Sequence, residues 1–439
     1  YLSTNNGTSW TDKTNGIVTS QMYKLGCSVT SQNVTITGLQ DNGTKLLYNG
    51  TWYDVKGGDG TECLIDYGNV NIQYGAYVNG QIDRTTDMWS NATDISPNGN
   101  PDGAWVTPYV IDPVTPATIY VGYADLYKST NRGDSWTQIS NVNSSDRLQS
   151  IAIAPSNTQV IYIADNTRIW KTTNGGTSWS NITGTLPVSS AYIRYITVKN
   201  NDPSTVWVCM SGFTSPGVYQ TTNGGTSWTN ISTGLPTIPV NSLVQNKLNT
   251  TANELYCGTE YGVYFKNGSS NWVLFSNGLP KVKIGELEIW YGATSSTSKL
   301  RAASYGRGLW QSDLYSNETQ SYVSSTVTQT LTSDVAPNTQ NQQIVAVEIT
   351  MNGDISPLSV TSFSFNTTGT TNPATDISNA RLYYSGTSSL FEATNAFGTA
   401  VTSPSGNFSF TGAQTLSNGV NYFWLCYDIN SGATLGNFV

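Results

Sequence analysis

Between residues 41 and 66, four carboxylates fall in or beside glycine-rich loop sequences, in a chain that is otherwise thin in charge. Asp41 lies in Gln40-Asp-Asn-Gly-Thr44, Asp59 and Glu62 in Gly57-Gly-Asp-Gly-Thr-Glu62, and Asp66 closes Cys63-Leu-Ile-Asp66. Paired carboxylates are what glycosidic hydrolysis requires: one protonates the leaving oxygen and the other acts as base or nucleophile. The neighbouring glycines would let backbone approach a ligand closely. The same oxygens offer a weaker option, a calcium site, without any regular Asp-x-Asp spacing. They also have a purely structural reading, because Asp-Asn-Gly and Gly-Asp-Gly are ordinary turns whose carboxylates cap backbone amides.

Two further places could hold a ligand. In Gly103-Ala-Trp-Val-Thr-Pro-Tyr109, Trp105 and Tyr109 could form a stacking platform for a sugar, or equally be core aromatics. In Tyr305-Gly-Arg307-Gly, Arg307 could grip a carboxylate with its two-pronged guanidinium, or simply stack on a neighbouring Trp.

Composition narrows the chemistry. Histidine is absent, which excludes Ser-His-Asp and Cys-His catalysis and every His-ligated metal site within this chain. The five cysteines show no paired metal-ligand spacing and mostly sit in apolar runs, so they read as small buried hydrophobes. No metal site is assigned and no cofactor is expected beyond the calcium option. With a net charge of −8 and no basic cluster, a nucleic-acid partner is not expected. No stretch approaches the ~20 apolar residues of a membrane span.

The elements that must position these residues follow from a repeat. Ser3-Thr-Asn-Asn-Gly-Thr-Ser-Trp10 recurs as Ser129–Trp136, Thr172–Trp179 and Thr221–Trp228, with degenerate copies ending at Trp52, Trp89 and Trp272. The seven tryptophans are separated by 42, 37, 47, 43, 49 and 44 residues, the length of a four-stranded propeller blade. Within the motif, Asn at the third position can bond backbone amides, Gly at the fifth can supply a positive φ, and the Trp can wedge between blades. The expectation is an all-β chain: a β-propeller of at least seven blade repeats over residues 1–315, followed by a β-sandwich. Residues 316–343 form a Ser/Thr/Gln-rich linker and first-strand region. Alternation then resumes over 344–439, in Ile344–Thr350, Val360–Phe365, Ala380–Tyr384 and Asn421–Tyr427. Tyr1 and Val439 both fall within strand-like runs, so both ends are expected to continue in a longer natural polypeptide.

The motif resembles the Asp box of bacterial neuraminidase-type repeats, shared with sialidases, family 74 xyloglucanases and sortilin ectodomains, with Asn here in place of the usual Asp. The segments Ile377–Thr387 and Asn421–Ile429 resemble the sandwich domain that accompanies neuraminidase-repeat proteins of Bacteroidetes. The resemblance implies that the boxes are structural, and that the protein is bacterial and secreted or cell-surface, with export by a type IX system. A sialidase is disfavoured, since no Arg-Ile-Pro motif occurs. The first expectation is a binding, adhesion or surface-assembly protein that engages a glycan or another surface component, as part of a longer polypeptide or assembly. The alternative is a xyloglucanase-like, carboxylate-dependent glycoside hydrolase, and a third reading is a repeated scaffold.

Overall fold

A computed structural model describes residues 1–13, 19–97, 102–214, 216–316, 318–329 and 333–438. Val439 and parts of the 316–343 stretch, which were assigned from sequence, lie outside the described residues. The chain divides into two compact units, Tyr1–Leu314 and Tyr315–Val439. Apart from a four-residue helix at Pro373–Asp376 and two short 3-10 turns, the described regular structure is strand.

Among the described residues, the first unit contains seven successive antiparallel sheets, each folding outward strand by strand in sequence order. Their innermost strands are Met22–Cys27, Cys63–Ile65, Tyr109–Ile111, Ser150–Ile153, Ile193–Val198, Val240–Gln245 and Ile284–Trp290. Six sheets have four strands and the seventh has three. The second strand of most sheets is buried on both faces, as in Ile119–Gly122, Ile161–Ala164 and Val206–Met210. That burial explains their continuous apolar runs, since sheets stacked face to face leave neither side to water. Apolar clusters fill the seams from the first sheet to the sixth, such as Tyr74, Ile82, Tyr109 and Val121 between the second and third sheets.

The seventh sheet packs back onto the first. Gln21 bridges to Tyr305, and Gly306 N–H donates to the Ser20 carbonyl. At this seam a side chain at Gly285 would place its Cβ 2.6 Å from the Tyr23 carbonyl oxygen, so the close approach of the two strands requires glycine.

The repeated box forms one turn with one set of bonds. In the fourth sheet, Asn174 Oδ1 accepts from Ser178 N–H and its Nδ2 donates to Ser178 Oγ, both at 2.9 Å. Gly176, at φ 100°, donates its N–H to Thr172 Oγ1. Asn131 and Asn223 repeat the pattern. The Trp that ends each turn reaches back to the preceding sheet. Trp136, Trp179, Trp228 and Trp272 donate Nε1–H to the carbonyls of Ile95, Ile139, Ile182 and Ile231, at 2.7–2.9 Å. Trp10 does not share this setting and is 63% exposed. Trp89 corrects the sequence reading. The turn begins at Thr85, Asp87 accepts from Asn91 N–H, and Trp89 takes the glycine position with φ 73°. The box therefore ends at Ala92, and Trp89 donates instead to Gln73 Oε1.

The second unit is a sandwich of a five-stranded sheet and a two-stranded sheet, Ser359–Asn366 with Asn407–Thr415. Phe363, Phe365, Phe397, Phe408, Phe410 and Phe423 fill the space between them. Within the expected linker and first-strand region, Ser321–Gln329 is a strand of the larger sheet, paired with Gln342–Asn352.

Candidate functional site

Each sheet of the first unit is an antiparallel meander, which fixes where its loops emerge. Loops entering the innermost strand, and those joining second to third strands, share one face, here termed the entry face. The remaining loops, including the Asp-box turns, share the other.

This division sorts the carboxylates. Asp41 joins the second and third strands of the first sheet, while Asp59 and Glu62 precede the innermost strand of the second, so all three belong to the entry side. Asp41 has φ 57° and donates its N–H to Asp59 Oδ1 at 2.7 Å, which ties the two loops together. Asp66 follows the innermost strand and lies on the box side. It is buried, its Oδ1 accepts from Gly68 and Asn69 N–H, and its Oδ2 pairs with Arg132 in the box turn of the third sheet at 3.0 Å. Its contacts are those of a clamp between two sheets.

Trp105, in the loop entering the third sheet, is 51% exposed and donates Nε1–H to Tyr23 Oη at 3.3 Å. Tyr23 and Tyr305 lie with ring centroids 5.6 Å apart, and both hydroxyls donate to Gln40 Oε1. Tyr109 is separated from Trp105. It is buried in the seam between the second and third sheets, where its hydroxyl donates to the Glu62 carbonyl at 2.6 Å. Arg307 joins the outer two strands of the seventh sheet on the entry face, and its side chain is exposed.

The entry face also holds aromatics that the sequence reading missed. Tyr192, Phe213 and Tyr261 are 52%, 70% and 55% exposed, in loops of the fifth and sixth sheets. Lys283 sits over the Tyr305 ring and pairs with Glu260 at 3.7 Å, and Glu260 accepts from Asn241. The signal was available in principle, since each residue falls in a loop next to a second or innermost strand.

Beneath this face, side chains from four sheets meet, which they can do only near the axis of the ring. Lys24 Nζ lies 3.1 Å from Glu286 and 3.3 Å from Glu62, and 5.1 Å from the centre of the Tyr195 ring. Tyr195 Oη donates to Glu286 Oε1 at 3.4 Å. Glu286 Oε2 and Glu288 Oε2 accept the N–H groups of Leu25 and Cys27, so two carboxylates of the seventh sheet clasp the backbone of the first. Burial, and then the charge of Glu286, push the Glu62 carboxyl up to about 8, against the pull of Lys24. Burial and the same neighbour push Glu288 up to about 8. Burial works against the Lys24 ammonium, but Glu286 and Glu62 outweigh it and hold its pKa above the ordinary lysine value. The cluster is an internal network built on the Lys24–Glu286 ion pair, in which Glu286 is held by Lys24, Tyr195 and the Leu25 amide, Glu62 by Lys24, and Glu288 by the Cys27 amide. Among the described residues, no three Cys, Asp or Glu side chains are grouped to hold a metal ion. All five cysteines are free thiols.

Comparison with known proteins agrees with this architecture. Residues 124–276 match the family model for sortilin, neurotensin receptor 3, and residues 324–439 match that for the N-terminal domain of BNR-repeat neuraminidase. No curated protein matches the chain in sequence. Among solved structures, an ancestral GH74 enzyme is similar at TM-score 0.55 and 14% identity, covering 77% of this chain and 54% of that one. The Niastella koreensis GH74 enzyme is similar at TM-score 0.53 and 18% identity, covering 76% and 58%. The GH74 xyloglucanase from Xanthomonas campestris is similar at 0.51 and 12%, covering 76% and 59%. The chain thus spans just over half the length of each of these enzymes, and at such identities the likeness is one of fold. No helix of the described residues is long and apolar enough to cross a membrane. The first unit is a BNR- and sortilin-like β-propeller, and the second is a β-sandwich module similar to the N-terminal domain of BNR-repeat neuraminidase.

Proposed function

We propose that the entry face of the propeller binds a glycan, in a secreted or cell-surface bacterial protein that uses this contact for adhesion or surface assembly. The observation that carries the reading is the set of exposed aromatics on that one face, Trp105, Tyr192, Phe213 and Tyr261. Exposed apolar side chains rimmed by polar groups mark an interaction surface where they form one contiguous patch. Flat rings with nearby amides and hydroxyls, here Gln40, Asn241, Tyr23 and Tyr305, suit the alternating apolar and hydroxyl surfaces of a sugar ring. The fold likeness to GH74 xyloglucanases supports a polysaccharide as the class of ligand.

Hydrolysis is the less favoured function of the same face. Asp59 is engaged by the Asp41 amide, and Glu62 is committed to the Lys24 network, so neither stands as a free acid facing a partner across a cleft. Binding is tested by calorimetric titration of the folded protein with xyloglucan and other β-glucans, and hydrolysis by reducing-end release from the same polymers. Binding that Trp105→Ala weakens, without release of sugar, supports the proposal. Release lost in Asp41→Asn and Asp59→Asn would replace it with the hydrolase reading.

A further inference from the structure

Arginine in this chain is almost entirely committed. Arg84, Arg132, Arg147, Arg168 and Arg381 each pair with a carboxylate. Arg301 is buried and donates to Thr35, Gln311 and the Gln32 carbonyl. Among the described residues two guanidinium groups have no hydrogen-bond or ion-pair partner, Arg194 and Arg307, and both are exposed on the entry side of the propeller.

Arg194 owes its position to a recurrent irregularity. The innermost strands of the first, fifth, sixth and seventh sheets share a break in pairing after their first residue, between Met22 and Lys24, Ile193 and Tyr195, Val240 and Ser242, and Ile284 and Glu286. The residues left unpaired are Tyr23, Arg194, Asn241 and Gly285. A bulge of this kind bends the strand end and re-aims one side chain, and such bulges concentrate at rims beside binding sites. Two of the four already serve the entry face, Tyr23 by bonding Trp105 and Gln40, and Asn241 by bonding Glu260. Arg194 occupies the equivalent position, between exposed Tyr192 and the axial Tyr195.

A guanidinium is a planar fork matched to a carboxylate. We propose that the glycan bound on the entry face carries carboxylates, as a uronate polymer or a sialylated chain does, and that Arg194 and Arg307 hold those acid groups while the aromatics hold the rings. This inference rests on the glycan-binding reading above. The face also carries acids: Glu260 is occupied by Lys283 and Asn241 and Asp59 by the Asp41 amide, while Asp41 and Asp146 stand exposed in its loops.

The test is titration of the full chain with polygalacturonate, its methyl ester, sialyllactose and xyloglucan, at low and high salt. The expected result is binding to a carboxylated ligand that is at least tenfold tighter than to the ester or xyloglucan and weakens with salt. Arg194→Gln and Arg307→Gln should each remove most of that preference and spare xyloglucan binding, and Arg194→Lys should restore it in part. The polymer and sialyllactose arms identify the source of the acid. Equal affinity for polymer and ester, or a preference that survives both glutamine variants, overturns the inference while leaving the glycan reading intact. Wild-type protein that binds none of the four overturns both.

Discussion

Lys24 of the first sheet and Glu286 of the seventh are 262 residues apart in sequence and 3.1 Å apart in space. With Glu62 and Tyr195 they lock the ring where its two ends meet, and Glu286 and Glu288 add bonds to the Leu25 and Cys27 amides. Removing one partner from such a buried network strands the other's charge. Glu286→Ala should therefore cost about 3–5 kcal/mol, measured by denaturant unfolding. Little loss would mean that apolar packing alone holds the seam.

The same seam should respond to pH. Glu62 and Glu288 titrate at about 8 in the folded protein, above the ordinary carboxylate value of 4.5. A group raised on folding binds its proton more tightly in the native state. Its contribution is complete below the unfolded value and is lost as pH rises from about 4.5 through about 8, at up to about 1.4 kcal/mol per pH unit for each group. The melting temperature should fall between pH 5 and pH 9. Glu288→Gln, which keeps an acceptor for Cys27 N–H, should flatten that fall.

The box turns offer a sharper stability test. A methyl group at Gly176 would stand 2.7 Å from the Ile139 carbonyl oxygen, at φ 100°, where side chains are strained. Gly176→Ala should destabilise by about 2–3 kcal/mol. Trp179→Phe keeps the wedge but leaves the Ile139 carbonyl without its indole donor, and should cost about 1–2 kcal/mol. Equal melting temperatures for both variants and wild type would show that the turn is not holding the seam.

How much could be read from sequence follows the range of each interaction. The box turn closes within eight residues, so its Asn, its positive-φ Gly and its Trp announce themselves, and the strands around it follow from alternation. The sandwich strands at Ile344–Thr350 and Asn421–Tyr427 were legible for the same reason. Trp89 was misplaced because a tryptophan at the glycine position keeps the local composition while shifting the register by three residues. The axial network was invisible, since Lys24, Glu62, Tyr195 and Glu286 share no local pattern and meet only once the ring closes. Asp66 joined the other three carboxylates by sequence proximity, yet three residues of innermost strand carry it to the opposite face.

That separation of faces predicts opposite phenotypes for two residues that looked alike in sequence. Asp66 is buried, with three acceptor contacts, whereas Trp105 is half exposed with one weak bond to Tyr23. Asp66→Asn turns an amide against Arg132 and should cost about 2–3 kcal/mol of stability. Because it acts on the box side, its glycan affinity should match wild type when measured below the unfolding transition. Trp105→Ala should do the reverse, lowering affinity about tenfold, or ~1.4 kcal/mol, with the melting temperature unchanged within about two degrees. The two variants should be titrated and melted side by side. If Asp66→Asn abolished binding in a folded protein, the ligand would have to be sought among the box turns rather than on the entry face.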